Sequence, residues 1–373
     1  MGGAGTTAFH LSRGLAERGH HVEVFTARAG GQPPDAGGVV VHRLEPLAAI
    51  GNAPLIPRIA TLTDFDVLHL HHPFIFGAEL LLAGRLRSRS AAVVVSYHNR
   101  LIGEGARRCM FFAYEETVGR TLMRAADRIC VVSRAHAATV SYLRATARRR
   151  PERVAVVPNG VDVERFRPGP DAAGVRGAHG IPPGALVAAF VATLDRAHFS
   201  KRLDLALDAV VHAGDAEVHL LVVGGGEWLD RYRAEAAQRG LAGRVHFLGA
   251  LGHDRLPDAL RACDLLMLTS DLESFGIVLL EAMASGLPTL STDLPGVLEV
   301  VRSGETGLVA PRGDARALGE GLRRLGAMGP EGRAAMGRRG RAECERRYAW
   351  PGVVAELEDV YGAALEARRA RTA

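Results

Sequence analysis

"DLLMLTSDLESFGIVLLEAMASGLPTLST", residues 264–292, decides how the chain folds. Two short apolar runs, "DLLMLTS" and "LPTLST", flank a longer one, "SFGIVLLEAMASG", which has helical length and ends on a glycine. Strand, helix and strand with almost no polar stripe on any of them is the pattern of a parallel sheet covered on both faces. The alternation extends back to residue 185: "ALVAAFVAT", "KRLDLALDAVVHAG", "EVHLLVVGGG", "EWLDRYRAEAAQRG", "RVHFLGA" and "HDRLPDALRAC" read in turn as strand, helix, strand, helix, strand and helix.

This predicts a Rossmann-like α/β domain in the second half. The first half repeats the plan more loosely: "TTAFHLSRGLAERG" and "GAELLLAGRLRSR" read as helices, and "HHVEVFTAR", "DVLHLHHP", "AAVVVSYH" and "ADRICVVS" as strands. Between the halves, "VVPNGVDVERFRPGPDAAGVRGAHGIPPG" is rich in Gly and Pro and aperiodic, so it reads as the connection. The expected domains are 1–169 and 170–349, with 350–373 as a C-terminal helix. A doubly wound domain opens with a strand before its glycine turn. Here "GGAG" follows Met1 at once, so the first sheet is expected to lack its leading strand.

The 373 residues are 47% hydrophobic and 23% charged, an ordinary balance for a soluble two-domain protein. No apolar window reaches the roughly 18 residues of a membrane span, and the N-terminus has no signal-peptide pattern. A cytoplasmic protein is expected, with peripheral contact at the inner face of a membrane left open. Cys109, Cys130, Cys263 and Cys344 are too scattered for a zinc site or a disulfide framework. The net charge of +5 collects in "RATARRR", "GRRGRAECERR" and the C-terminal tail, which suits solvated faces better than a nucleic-acid stripe. Of the 46 basic residues, one is lysine: Lys201. Lysine differs from arginine most where a compact point charge is needed, so Lys201 is a candidate phosphate contact.

Ligands of open α/β sheets gather at the carboxyl ends of strands, beside helix N-termini whose free N–H groups attract anions. "GGAG" (2–5) and "VVGGGE" (222–227) have that address, although the second lacks the G-x-G-x-x-G spacing of a dinucleotide site. On the quoted stretch, Ser274 is expected to cap the helix. Glu273 then lies at its mouth and Glu281 about 12 Å further along one face. An acid on an apolar helix is rarely idle. Two carboxylates so spaced suit a ligand carrying two sugars, with the amides of Ser274, Phe275 and Gly276 between them.

The stretch "ESFGIVLLEAMASGLPTLSTDLPGVLEVV", together with "GGAGTTAFHLSRGLAERGHHVEVFTA", "VVPNGVDVERFRP" and "YAWPGVVAELEDVYGAAL", resembles the retaining, nucleotide-sugar-dependent glycosyltransferases of family four. The resemblance implies the GT-B fold, two Rossmann-like doubly wound domains facing a central cleft, with residues 350–373 packing back on the first. It also implies roles. Glu281 would bind the ribose, Glu273 the transferred sugar, and the Phe275 and Gly276 amides sugar hydroxyls or phosphate. Lys201 and the Gly3 amide would meet the diphosphate, Ala250 and Leu251 the base, and His98 the donor sugar; Gly224, in the second glycine turn, is counted with the donor site.

Where the family has Gly-Arg, this chain has Ala192 and Thr193, and Arg196 is expected to supply the missing charge. The implied reaction transfers a sugar from a UDP- or GDP-sugar to a hydroxyl with retention, and needs no cofactor or metal. "DFD" (64–66) is read as the start of a strand rather than a metal site, and His69, His71 and His72 as lining the acceptor side. A nucleotide-sugar 2-epimerase and a non-catalytic nucleotide-sugar sensor stay open as alternatives. The acceptor is expected to be a lipid-linked glycan, a polysaccharide end or a small polyhydroxylated product, shaped by residues 97–120.

Overall fold

The computed structural model describes residues 3–28, 37–50, 53–87, 91–101, 105–214 and 217–372. The chain divides into two compact units, residues 1–159 with 350–373, and residues 160–349.

Unit 2 is built on a six-stranded sheet. Its strands are β9 (Leu186–Val191), β10 (Val218–Val223), β11 (Val245–Gly249), β12 (Leu265–Leu268), β13 (Thr289–Thr292) and β14 (Gly307–Ala310), in the order β11-β10-β9-β12-β13-β14. All neighbours are parallel. In chain order this is 3-2-1-4-5-6, the doubly wound arrangement whose switch point lies between the first and fourth strands. Every residue of β10, β12 and β13 is buried, which is why these strands read as apolar or small-residue runs, broken only by His219 in β10. The sixth strand has no clear sequence signal: "GLVA" is four residues long, at a sheet edge, and opens on a glycine whose Cβ would meet the Thr289 carbonyl at 2.4 Å.

Unit 1 holds four parallel strands, β5 (Val67–His72), β6 (Ala92–Tyr97), β7 (Arg128–Val131) and β8 (Val154–Val156). A separate parallel pair is formed by β1 (Val22–Ala27) and β2 (Val39–Leu44), and a short antiparallel pair by β3 (Ala48–Ile50) and β4 (Ala53–Leu55). The helix Trp350–Thr372 belongs to this unit: Trp350 stacks on His10 at 4.7 Å, and a Cβ at Gly14 would meet Val354 at 2.5 Å.

Unit 2 starts at Gly160 rather than near residue 170. Phe166 is buried, and Arg341 donates to the carbonyls of Val163 and Phe166, so this part of the aperiodic connection is fastened to the second unit. All four cysteines are free thiols, Cys130, Cys263 and Cys344 buried and Cys109 exposed. Among the described residues no helix is long and apolar enough to cross a membrane, and no group of side chains is arranged to hold a metal ion.

Candidate active site

The carboxyl ends of β9 and β12, on either side of the switch point, bring Lys201 and Glu273 together. After β9 the chain makes a 3-10 turn, Arg196–Lys201, capped by the Asp195 side chain accepting from the His198 amide. The expected helix from residue 201 therefore begins only at Leu203, because Arg202 adopts a left-handed conformation (φ +56°) that breaks the turn from the helix.

The Thr269 hydroxyl, just past β12, donates to the carbonyls of Lys201 (3.0 Å) and Arg202 (2.8 Å), and the Asp271 amide donates to Ser200 (2.8 Å). Arg202 closes the clamp with a 2.7 Å bond to Asp271 and two of 3.0 Å to Asp204, which raise its already high pKa. The clamp sets Lys201 Nζ 2.5 Å from Glu273 Oε2, both only partly exposed. Arg196 stands at the start of the turn with its side chain exposed, its amide donating to Glu227 at 3.1 Å.

The helix of the quoted stretch runs from Ile277 to Ala284, later than expected, and Ser274 is not its cap. Gly276 holds the cap position with φ +87°, a conformation glycine adopts freely, and no side chain caps the helix. The chain ahead is fixed differently: a Cβ at Gly296 would lie 1.9 Å from the Ser274 carbonyl, and buried Phe275 packs edge-on to Tyr348 at 5.7 Å. Glu281 is thus four residues into the helix, about 6 Å at 1.5 Å per residue, and Glu273 lies across a left-handed turn from it. Among the described residues the amides of Ser274, Phe275, Gly276, Ile277 and Val278 have no acceptor. They form an anion-receptive edge that follows directly in sequence on Glu273, the partner of Lys201.

Glu281 is 7% exposed, and His253 Nε2 donates to its Oε1 at 2.8 Å. His253 escaped the sequence reading. Ala250, exposed, and Leu251, half-buried, lie in the same loop after β11. Gly224 is a packing position: its amide donates to Gly249 (2.8 Å), and a Cβ there would fall 1.8 Å from the Ala192 carbonyl. The glycine turn after β10 lets two loops touch backbone to backbone, which accounts for its departure from the dinucleotide spacing.

In unit 1, Gly3 opens the helix Gly3–Glu17, and its carbonyl accepts from Thr7, whose side chain also bonds Asn159; Gly2 lies outside the described residues. His98, buried just past β6, shares a 2.8 Å hydrogen bond between its Nε2 and His71 Nδ1, the rings lying 9° from parallel. His71 stacks in turn on His69, which bonds Ser96 and Tyr361. Burial, with the neighbouring rings adding to it, pushes His69 down to about 3 and His71 well below the usual histidine value; His98 falls to about 4 through burial and then the charge of His72.

His72 points the other way, fully enclosed against Tyr97 and Glu115, so it cannot line an acceptor. Glu115 is likewise an internal anchor: burial alone would raise its carboxyl, but bonds from His72, Tyr142 and the Leu101 amide hold it below the usual range.

Comparison with known proteins bears on the fold and the family. The chain is 30% identical to the D-inositol 3-phosphate glycosyltransferase of Streptomyces bingchenggensis, covering 99% of this chain and 86% of that protein. Sucrose-phosphate synthase from Thermosynechococcus elongatus superposes with a TM-score of 0.79 at 23% identity, over 96% of this chain and 93% of that one. HepE of Anabaena, in complex with UDP and glucose, gives 0.78 at 20% identity over 97% and 96%. These are GT-B glycosyltransferases, and the two parallel-sheet units have their architecture. Residues 1–165 match Glycosyltransferase Family 4 and residues 175–343 match glycosyl transferases group 1. With both halves matched and a relative aligned over nearly its whole length, the chain belongs to the family 4, group 1 glycosyltransferases and is an enzyme of that class.

Proposed function

We propose that this enzyme transfers a sugar from a nucleoside diphosphate sugar, UDP before GDP, to an acceptor hydroxyl with retention of configuration and without a metal. The observation that carries the reading is the 2.5 Å Lys201–Glu273 pair beside five amides with no acceptor among the described residues. A cation held by a carboxylate at an anion-receptive edge is poised to exchange that partner for a diphosphate. UDP as the first donor is supported by the UDP complex of HepE.

In the reaction the bond from the anomeric carbon to the phosphate oxygen breaks. Negative charge grows on the departing diphosphate and positive charge on the sugar ring. Lys201, the helix-mouth amides, the Gly3 amide and Arg196 stabilise the first, as fixed dipoles and charges do best. Glu273, released from Lys201, faces the second. The acceptor oxygen attacks on the same face and its proton passes to the leaving phosphate, so no separate base is assigned. His98 holds the donor sugar through a neutral ring, Glu281 the ribose, and Ala250 and Leu251 the base.

The name of the Streptomyces relative supports a small polyhydroxylated acceptor bearing phosphate, rather than a polysaccharide end. UDP-glucose, UDP-N-acetylglucosamine and GDP-mannose are each incubated with D-inositol 3-phosphate, and nucleotide release and product mass are followed. Release that requires the acceptor, with a product heavier by one sugar, is expected. Release without acceptor, accompanied by epimerised donor, would overturn the transferase reading.

A further inference from the structure

Glu281 is an acid on a helix whose other buried members are Leu279, Leu280, Ala282, Met283 and Ala284, a setting in which a buried polar side chain calls for a hydrogen-bond partner. Among the described residues its one partner is His253, on a different loop. That loop is shaped to deliver the ring: Gly249, the last residue of β11, takes φ +72°, and the turn from Gly252 to Arg255 closes with a 2.9 Å backbone bond. The ring also rests edge-on against buried Phe166 at 5.3 Å. Glu281 Oε2 makes no hydrogen bond among the described residues, yet it is not among the enclosed unpartnered atoms, so it is reachable from outside. The carboxylate therefore has one oxygen fixed by an N–H donor and one presented.

We infer that His253 is a positioning residue for nucleotide recognition: it fixes the rotamer of Glu281 so that the presented oxygen accepts from the vicinal hydroxyls of the donor's ribose. This rests on the proposed role of Glu281 and adds to it. A carboxylate oxygen accepts only in the direction its rotamer points, so holding one oxygen fixes where the other is presented. His253 supplies the donor at the oxygen away from the ribose, and its side chain is 40% exposed, so changing it leaves the core of unit 2 untouched.

The test is isothermal titration of the full chain with UDP and with 2′-deoxy-UDP, in wild type, His253→Ala, His253→Gln and Glu281→Gln, with GDP and 2′-deoxy-GDP in parallel. Wild type is expected to prefer the ribonucleotide by about tenfold or more, the worth of one hydrogen bond to a charged group. His253→Ala should lose most of that preference. His253→Gln, which can place an amide donor near the former Nε2, should keep most of it, a rescue that a merely structural role would not give. If His253→Ala keeps the full preference while Glu281→Gln loses it, the role of His253 is overturned and that of Glu281 stands. If Glu281→Gln also keeps it, or wild type binds neither nucleotide, the ribose role of Glu281 falls and this inference with it.

Discussion

The two ends of the unit 2 sheet each hold a carboxylate paired with a cation, and the pairs differ in how completely they are satisfied. At the amino end, Asp264 precedes β12 and accepts from Arg176 (2.7 Å), Arg333 (3.3 Å) and the Val187 amide (2.8 Å). At the carboxyl end, Glu273 follows β12 and, among the described residues, has Lys201 alone, beside amides with no acceptor there. The first pair closes a polar network and leaves little for a ligand to gain. The second leaves donors that, on the function proposed above, a bound diphosphate would satisfy. Chemically similar pairs therefore read as structure at one end and as function at the other, and the sheet's direction says which.

Substitutions at the two ends can break that contrast. Lys201→Ala should lower turnover on the order of 10²–10³-fold, the usual cost of one group aimed at a developing oxyanion, with the melting temperature little changed. The check is nucleotide release under saturating donor and acceptor. Asp264→Ala should do the reverse, costing about 2 kcal/mol of stability by stranding two arginines and an amide, while the folded fraction turns over normally. Denaturant melts beside rates per folded molecule would show it, and a larger loss of rate than of stability would erase the distinction.

A milder test loosens the carboxyl-end clamp. Thr269→Val removes the hydroxyl shared by the Lys201 and Arg202 carbonyls, and should cost about 1 kcal/mol with a severalfold loss of turnover.

Histidines extend the comparison to pH. At the amino end of unit 2, His219 and His246 lie parallel (5°) and bonded at 3.0 Å, with His179 edge-on to His246. Burial pushes His246 to about 4, with His219 and His179 adding to it; His219 is lowered by burial and by Arg244 and Arg176 against the opposing pull of Glu217. At the carboxyl end of unit 1, His71 and His98 make a similar pair. Depressed histidines favour the folded state fully above their unfolded value near 6.5, and that stability is lost as pH falls toward the folded values of about 4 for His98 and His246 and about 3 for His69. Melting temperature should therefore fall steadily from pH 6.5 to 4. His246→Leu should flatten part of the slope with turnover at pH 7.5 unchanged, whereas His98→Ala should lower turnover at that same pH.

Much of this was legible in the sequence, for particular reasons. Buried parallel strands announce themselves by composition, so five strands of unit 2 were readable and the short edge strand Gly307–Ala310 was not. Glu281 stood out as an acid on an apolar helix, and Lys201 as one lysine among arginines. The start of the helix was misplaced because serine is the better cap by propensity, while the close approach of Gly296 to the Ser274 carbonyl and a left-handed Gly276 decide the matter. His253 was invisible because its contact with Glu281 spans two loops and depends on a turn that no local pattern encodes. The histidines of β5 looked alike in sequence, yet strand alternation sends His71 toward His98 and His72 into the core.

The central claim is that Lys201, rather than a metal, carries the charge of the departing diphosphate. The direct measurement is the rate of nucleotide release in the presence of acceptor, with and without excess EDTA, for wild type and Lys201→Ala. The account predicts a wild-type rate indifferent to EDTA and a Lys201→Ala rate lower by two orders of magnitude or more. A wild-type rate abolished by EDTA, or a Lys201→Ala rate close to wild type, would contradict it.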